Sequence, residues 1–216
     1  MQIDHFLYQV PDLEAGAADI AARTGLTPRF GGVHANGVTA NYLARLGAGL
    51  YLEIIGPAPG AGADTSGYLF GNAKTLTGIT TFAVRAGDIA AQAAMLRARS
   101  MTFRGPITGG RTTPQGQALA WKSIFIDDER FAGFIPFALQ WLSLPHPSET
   151  APAGLTLKSF EIFHPLADDL NMLYETIGVP VHAIQSPSAS MRLMLASPNA
   201  EIELRSAVTA QLKLRS

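Results

Sequence analysis

Residues 3–25 read IDHFLYQVPDLEAGAADIAARTG, and the point where that stretch stops alternating and begins to recur every three or four residues decides the fold. From Ile3 to Val10 the side chains alternate as in a strand, with Phe6, Tyr8 and Val10 on one face and His5, Leu7 and Gln9 on the other. Pro11-Asp12 breaks the strand, after which Leu13, Ala17, Ile20 and Ala21 fall on one helical face. Asp12 is a natural cap for the free amides of that helix, and Gly25 a natural stop. Strand alternation returns at 27–33, 39–46 and 50–56, so the unit is strand, helix and three strands.

The unit recurs. GITTFAVRAGDIAAQAAMLRARS repeats the strand and helix, with Asp88 as cap, Ile89, Ala93 and Leu96 as the stripe, and no closing glycine. GQALAWKSIFI and IPFALQWLS serve as its later strands. LKSFEIFHPLADDLNMLYETIGVPV is a third copy, with Leu170, Leu173, Tyr174 and Ile177 as the stripe and Gly178 as the stop. The expected organisation is α+β, built of repeated βαβββ modules at 1–56, 76–142 and 155–206, the first two forming one domain. Loops rich in Pro, Gly, Ala and Ser at 57–75 and 143–154 separate them.

Composition narrows the function. With 216 residues, 47% hydrophobic and 15% charged, the chain buries a full core. A net charge of -1 and the lack of any basic run interleaved with aromatics argue against a nucleic-acid partner. Zero cysteines remove thiolate catalysis and Cys-based metal sites, so any metal needs His, carboxylate or amide oxygen. The amino terminus reads as a strand rather than a signal peptide, and no apolar run reaches membrane-spanning length. The expectation is a soluble, cytoplasmic protein with a small-molecule partner, bound to neither membrane nor nucleic acid.

Alternation also sorts the polar residues. In LYLEIIG, Leu50, Leu52 and Ile54 take the covered face and leave Tyr51, Glu53 and Ile55 opposite, so Glu53 and His5 are expected on one concave surface. By the same counting Thr81 matches His5 in the second copy and Gln140 matches Glu53, with Leu139 and Trp141 turned to the helices. A carboxylate between apolar strand neighbours needs a partner or a metal, or must stay protonated, and an ion pair of Glu53 with Arg85 or another cleft cation is the plain structural alternative. In the third copy Ser159 stands where His5 does, so that copy is expected to pack, closing a sheet or forming a homodimer interface, rather than react.

IDHFLYQVPDLE followed by GGVHANGVTANYLARLGAGLYLEIIGP resembles the glyoxalase-like domains of the vicinal oxygen chelate (glyoxalase/bleomycin resistance/dioxygenase) superfamily. GRTTPQGQALAWKSIF and IPFALQWLSLPHPSETAPAG extend the resemblance over nearly the whole chain. It implies curled mixed sheets around a central cleft, with metal ligands on the first and last strands of each module. His5 and Glu53 match the ligand positions of the first module. Thr81 is a poor ligand and Gln140 offers only an amide oxygen, which leaves a weaker site of His5, Glu53, Gln140 and water for a divalent zinc, nickel, manganese or iron ion.

The chemistry so implied is chelation of neighbouring substrate oxygens and Lewis-acid stabilisation of an enolate or oxyanion, as in a lyase, isomerase or epimerase. Ring cleavage and hemithioacetal isomerisation are disfavoured, because their ligand sets are not reproduced. Glu53 and His5 are the expected catalytic residues. His34, on a glycine-flanked turn, Asn41 on the next strand, and Arg111 in GGRTTPQG are the expected substrate contacts, the arginine offering its guanidinium to a carboxylate. Trp121 and Trp141 read as core, and His146 and His164, each before a proline, as structural. The alternative from another class is a metal-free protein that binds or sequesters a small molecule.

Overall fold

The computed structural model describes residues 1–62, 69 and 75–206. Strand β1 (Gln2–Gln9), helix α1 (Leu13–Thr24) and strands β2 (Arg29–His34), β3 (Thr39–Gly47) and β4 (Leu50–Pro57) follow in order. The pattern returns as β5 (Gly78–Arg85), α2 (Ile89–Ala98), β6 (Phe103–Thr112), β7 (Ala118–Ile126) and β8 (Phe137–Trp141). After the short helix α3 (Pro147–Thr150) come β9 (Thr156–His164), α4 (Ala167–Ile177), β10 (Ala183–Gln185), β11 (Ser190–Ala196) and β12 (Glu201–Arg205). Most of the 57–75 connection lies outside the described residues. Among those described, no helix is long and apolar enough to cross a membrane.

The helix ends follow local chemistry. Asp12 accepts from the Ala15 amide and Asp88 from those of Ala90 and Ala91. Gly25 and Gly178 close α1 and α4 at φ 73° and 72°, where a Cβ would be strained.

The mixed sheets curl until they close. The first eight strands form a barrel in the order β1-β4-β3-β2-β6-β7-β8-β5, in which β5 pairs back with β1. The parallel pairs β1–β4 and β5–β8 relate the two halves. The third copy forms its own sheet, β10-β9-β11-β12, with β9 between β10 and β11. Its first strand therefore has different neighbours from β1, and its Glu203 pairs with Arg192 and Arg205 on that sheet, away from His5.

Phe6, Leu52, Ile54, Phe82 and Ala44 point outward from the barrel into one large core shared with the helices and the third sheet. Phe160 of β9 packs its ring 4.7 Å from Phe6 and 5.0 Å from Phe82, and the Tyr174 hydroxyl of α4 donates to the Phe134 carbonyl at 2.7 Å. Two smaller apolar clusters fill the inside: Leu43, Tyr51, Ala151 and Trp141 on one side of the Glu53 level, and Leu7, Ile55 and Leu69 on the other. Between them lies a band of polar side chains.

Phe6 is wholly enclosed where barrel and third sheet meet. Replacing it with alanine should therefore destabilise the chain by about 3–5 kcal/mol, seen as a lower urea midpoint at unchanged m-value. A change below about 1 kcal/mol would mean that the third sheet does not rest on this face.

Candidate functional site

The register of β1 sets the site. Ile3 pairs with Val84 and His5 with Ala83, so Asp4 is an extra residue in the ladder. Such a bulge re-aims a side chain, and here it turns the Asp4 carboxylate toward its neighbour His5, where strict alternation would have placed it on the far face. The His5 imidazole donates from Nδ1 to Asp4 Oδ1 at 2.7 Å, and its Nε2 lies 3.2 Å from Glu53 Oε2. Tyr51 stacks on the ring, with centroids 4.6 Å apart and planes 21° apart, and Phe137 meets its edge.

Glu53 is buried on β4 and held from β3 by Asn41, whose Nδ2 donates to Oε1 at 2.7 Å. The same amide points at His34 Nε2, 3.4 Å away, and His34 Nδ1 bonds the Thr39 hydroxyl at 2.7 Å. This pattern assigns the His34 proton to Nδ1 and leaves Nε2 as an acceptor, 3.6 Å from Glu53 Oε1. Burial pushes the His34 pKa down; Glu53 pulls it back, and Arg111 and His5 press it further down. Arg111 of β6 pairs across to His34 in the ladder and donates to the Gly31 carbonyl. His5, Glu53, His34, Asn41 and Arg111 therefore come together inside the barrel.

Behind His5 lies a second group that alternation does not reveal. Asp4 Oδ2 accepts from Arg85 Nε at 2.8 Å, His146 Nε2 at 3.0 Å and Trp141 Nε1 at 3.2 Å. Ser148 donates its amide to His146 Nδ1, which fixes the proton that faces Asp4 on Nε2. Burial alone would raise the Asp4 pKa, but the hydrogen bonds and charges of His146 and His5 outweigh it and hold the carboxyl well below the usual range.

Several expected placements change. Arg85 pairs with Asp4, not Glu53. Trp121 and Trp141 face the barrel interior, 5.3 Å from each other, with Trp121 against His34. His146 joins the buried network, whereas His164 packs between Phe131 and Phe134 and caps Leu166. Gln140 lies on the outer face, where its amide oxygen accepts from the Ile89 amide and its Nε2 donates to the Gly87 carbonyl at the start of α2. The cause is register: Ala83, the counterpart of Leu7, sits beside Phe137 as Leu7 sits beside Glu53, so Phe137 corresponds to Glu53, and Gln140, an odd number of residues further along β8, turns outward.

The glyoxalase-like domain model matches residues 3–178. The chain belongs to the glyoxalase-like domain family. A hypothetical protein from Staphylococcus aureus has the same fold, with a TM-score of 0.66 and 15% identity over 99% of this chain and 88% of its own. Methylmalonyl-CoA epimerases are more distant: a Streptomyces coelicolor variant at 0.47 and 19% identity (68% and 99% covered), and the Mycobacterium tuberculosis protein at 0.43 and 16% (67% and 89%). No curated protein matches the sequence.

Within this glyoxalase-like barrel the implied metal set is only half assembled. His5 Nε2 and Glu53 face each other, and His5 carries the outer carboxylate that histidine ligands commonly have. The second half is missing, because Gln140 points outward and the Thr81 hydroxyl donates to the Ile135 carbonyl. Among the described residues no three His, Asp or Glu side chains are arranged to hold a metal ion. The residues present do not fit the implied four-ligand centre. Two surface hollows of about 210 and 290 Å³ lie elsewhere, beside the start of α1, and touch none of these side chains.

Asp4→Asn tests the buried network. It should lower stability by about 2 kcal/mol at pH 7, since it weakens several hydrogen bonds to a charged acceptor. The folded carboxyl titrates below its unfolded value of about 3.9, so its contribution is full above that pH and lost on further acidification. Urea midpoints of the two proteins should therefore converge as the pH falls below about 4. A constant gap would show that Asp4 is not held ionised.

Proposed function

We propose that this glyoxalase-like protein binds a small oxygen-bearing molecule inside the barrel and moves a proton on it, with Glu53 as acceptor and His5 as its partner. One observation carries the reading: both nitrogens of the His5 ring face carboxylate oxygens, Asp4 at 2.7 Å and Glu53 at 3.2 Å. A neutral imidazole bonded to Asp4 through Nδ1–H would point a lone pair at Glu53, which is repulsive. One more proton belongs between Nε2 and Oε2, so the pair holds a proton that can be given up and taken back.

In this reading Asn41 and Tyr51 orient the pair, and Asp4 keeps the ring turned toward Glu53. A ligand atom that displaces His5 from Glu53 would meet a carboxylate beside a protonated imidazole. That is the arrangement for taking a proton from carbon and stabilising the oxyanion that results. The reaction class is isomerisation, epimerisation or lyase-type elimination. The epimerases among the distant neighbours do not decide between these, since their likeness is weaker than that of the Staphylococcus aureus protein.

Exchange of carbon-bound hydrogen for deuterium in D2O, followed by NMR over a panel of α-hydroxy ketones and α-hydroxy acids, tests it. Wild type should catalyse exchange on at least one compound, and Glu53→Gln should slow it by about 100-fold or more while the chain stays folded. Exchange should survive chelators. Loss with chelator and recovery with zinc, nickel, manganese or iron would make His5 and Glu53 metal ligands instead. The enclosed interior favours a second reading, a metal-free sequestering protein, and tight binding of a panel compound without exchange would select it.

A further inference from the structure

Two groups inside the barrel have bonding capacity that the described residues leave unused. Arg111 is 5% exposed, and among the described residues its guanidinium makes a single hydrogen bond, to the Gly31 carbonyl. Among the described residues it has no ion pair, whereas the half-buried Arg85 has Asp4. An arginine stays charged at neutral pH, and a buried charge without a counter-ion is costly to keep. Asn41 is 2% exposed, and its Nδ2 is committed to Glu53, which turns Oδ1 the other way. That oxygen is buried and accepts nothing from the described residues.

The two border one spot. A Cβ built on Gly31 would collide with Asn41 Oδ1 and lie 3.2 Å from Arg111 Nη1. One idle acceptor and one under-used cation thus meet at a residue without a side chain. On the other side of the Asn41 amide, 2.7 Å from its nitrogen, is Glu53. A molecule bridging Arg111 and Glu53 therefore spans only a few heavy atoms.

We infer that the barrel interior takes a small carboxylate bearing a hydroxyl on the adjacent carbon. The carboxylate lies on the Arg111 guanidinium, as charge-assisted donors in a fork require, and the hydroxyl donates to Asn41 Oδ1. The carbon between them then comes next to Glu53. The inference rests on the interior being the ligand site proposed above and names the class of ligand it accepts.

Calorimetric titration with glycolate and lactate as probes tests it, with propionate (no hydroxyl) and lactamide (no charge) as controls. Either hydroxy acid should bind wild type, propionate should bind about tenfold more weakly, and lactamide should give no heat. Arg111→Met should weaken hydroxy-acid binding by about 30-fold or more, the loss expected for a charge-assisted contact. The same variant should melt at or above the wild-type temperature, because it removes a buried charge that forms no ion pair with the described residues. Glu53→Gln should still bind both probes.

Absence of binding by wild type, or binding that survives Arg111→Met, would overturn the inference. So would a fall in melting temperature in both Arg111→Met and Arg111→Gln, which would make the guanidinium structural. The outcome is separable from that of the exchange experiment. Bound lactate without exchange removes the proton-transfer reading alone, whereas exchange on a neutral ketone with no affinity for hydroxy acids removes only the ligand class.

Discussion

A carboxylate enclosed in the wall of a barrel must be fully satisfied, and Asp4 is the point on which the interior depends. It takes hydrogen bonds from His5, Arg85, His146 and Trp141, which come from β1, β5, the segment before α3, and β8. Four parts of the chain are thus fixed around one side chain. The same bonds turn the His5 ring toward Glu53 and bring the 142–153 segment against the barrel, where Pro152 accepts from the Arg45 amide and the Ser148 hydroxyl from the Gly49 amide. Structural and functional roles meet in one bulged residue.

The outer face of the barrel obeys a different rule. It is apolar and continuous with the helices and the third sheet, so it can be stabilised by burial alone. That leaves the inner face free to carry charge at a cost in stability, which is where proteins commonly accept a conflict with packing. Glu53, Arg111 and the His5–Asp4 pair are such residues. Among the described residues the third sheet makes no contact with the polar band; it adds apolar burial to the outer core, with Phe160 against Phe6 and Phe82.

The architecture was legible because the change from a two-residue to a three-to-four-residue period occurs three times, marked by Asp12, Asp88, Gly25 and Gly178. His5 and Glu53 were legible because β1 and β4 alternate cleanly at those positions and pair in parallel. Asp4 was not, because a bulge breaks the very periodicity used to sort faces. Gln140 was misplaced because β8 lies against β5 in a register displaced by an odd number of residues, with Phe137 beside Ala83, which reverses its face. His146 was hidden by its distance along the chain: its role appears only when the strap before α3 comes back onto β1. The curled sheets around a central cleft were expected; their closure into one barrel is set by pairing between β5 and β1, which no local pattern encodes.

The most direct measurement is the position of the hydrogens around His5, from neutron diffraction of the protein at neutral pH. The expected result is one hydrogen on Nδ1 directed at Asp4 and a second between Nε2 and Glu53, with both carboxylates turned toward the ring. A singly protonated imidazole with its bare nitrogen turned away from Glu53, or the two side chains separated by apolar packing, would contradict the shared proton and with it the proposed chemistry.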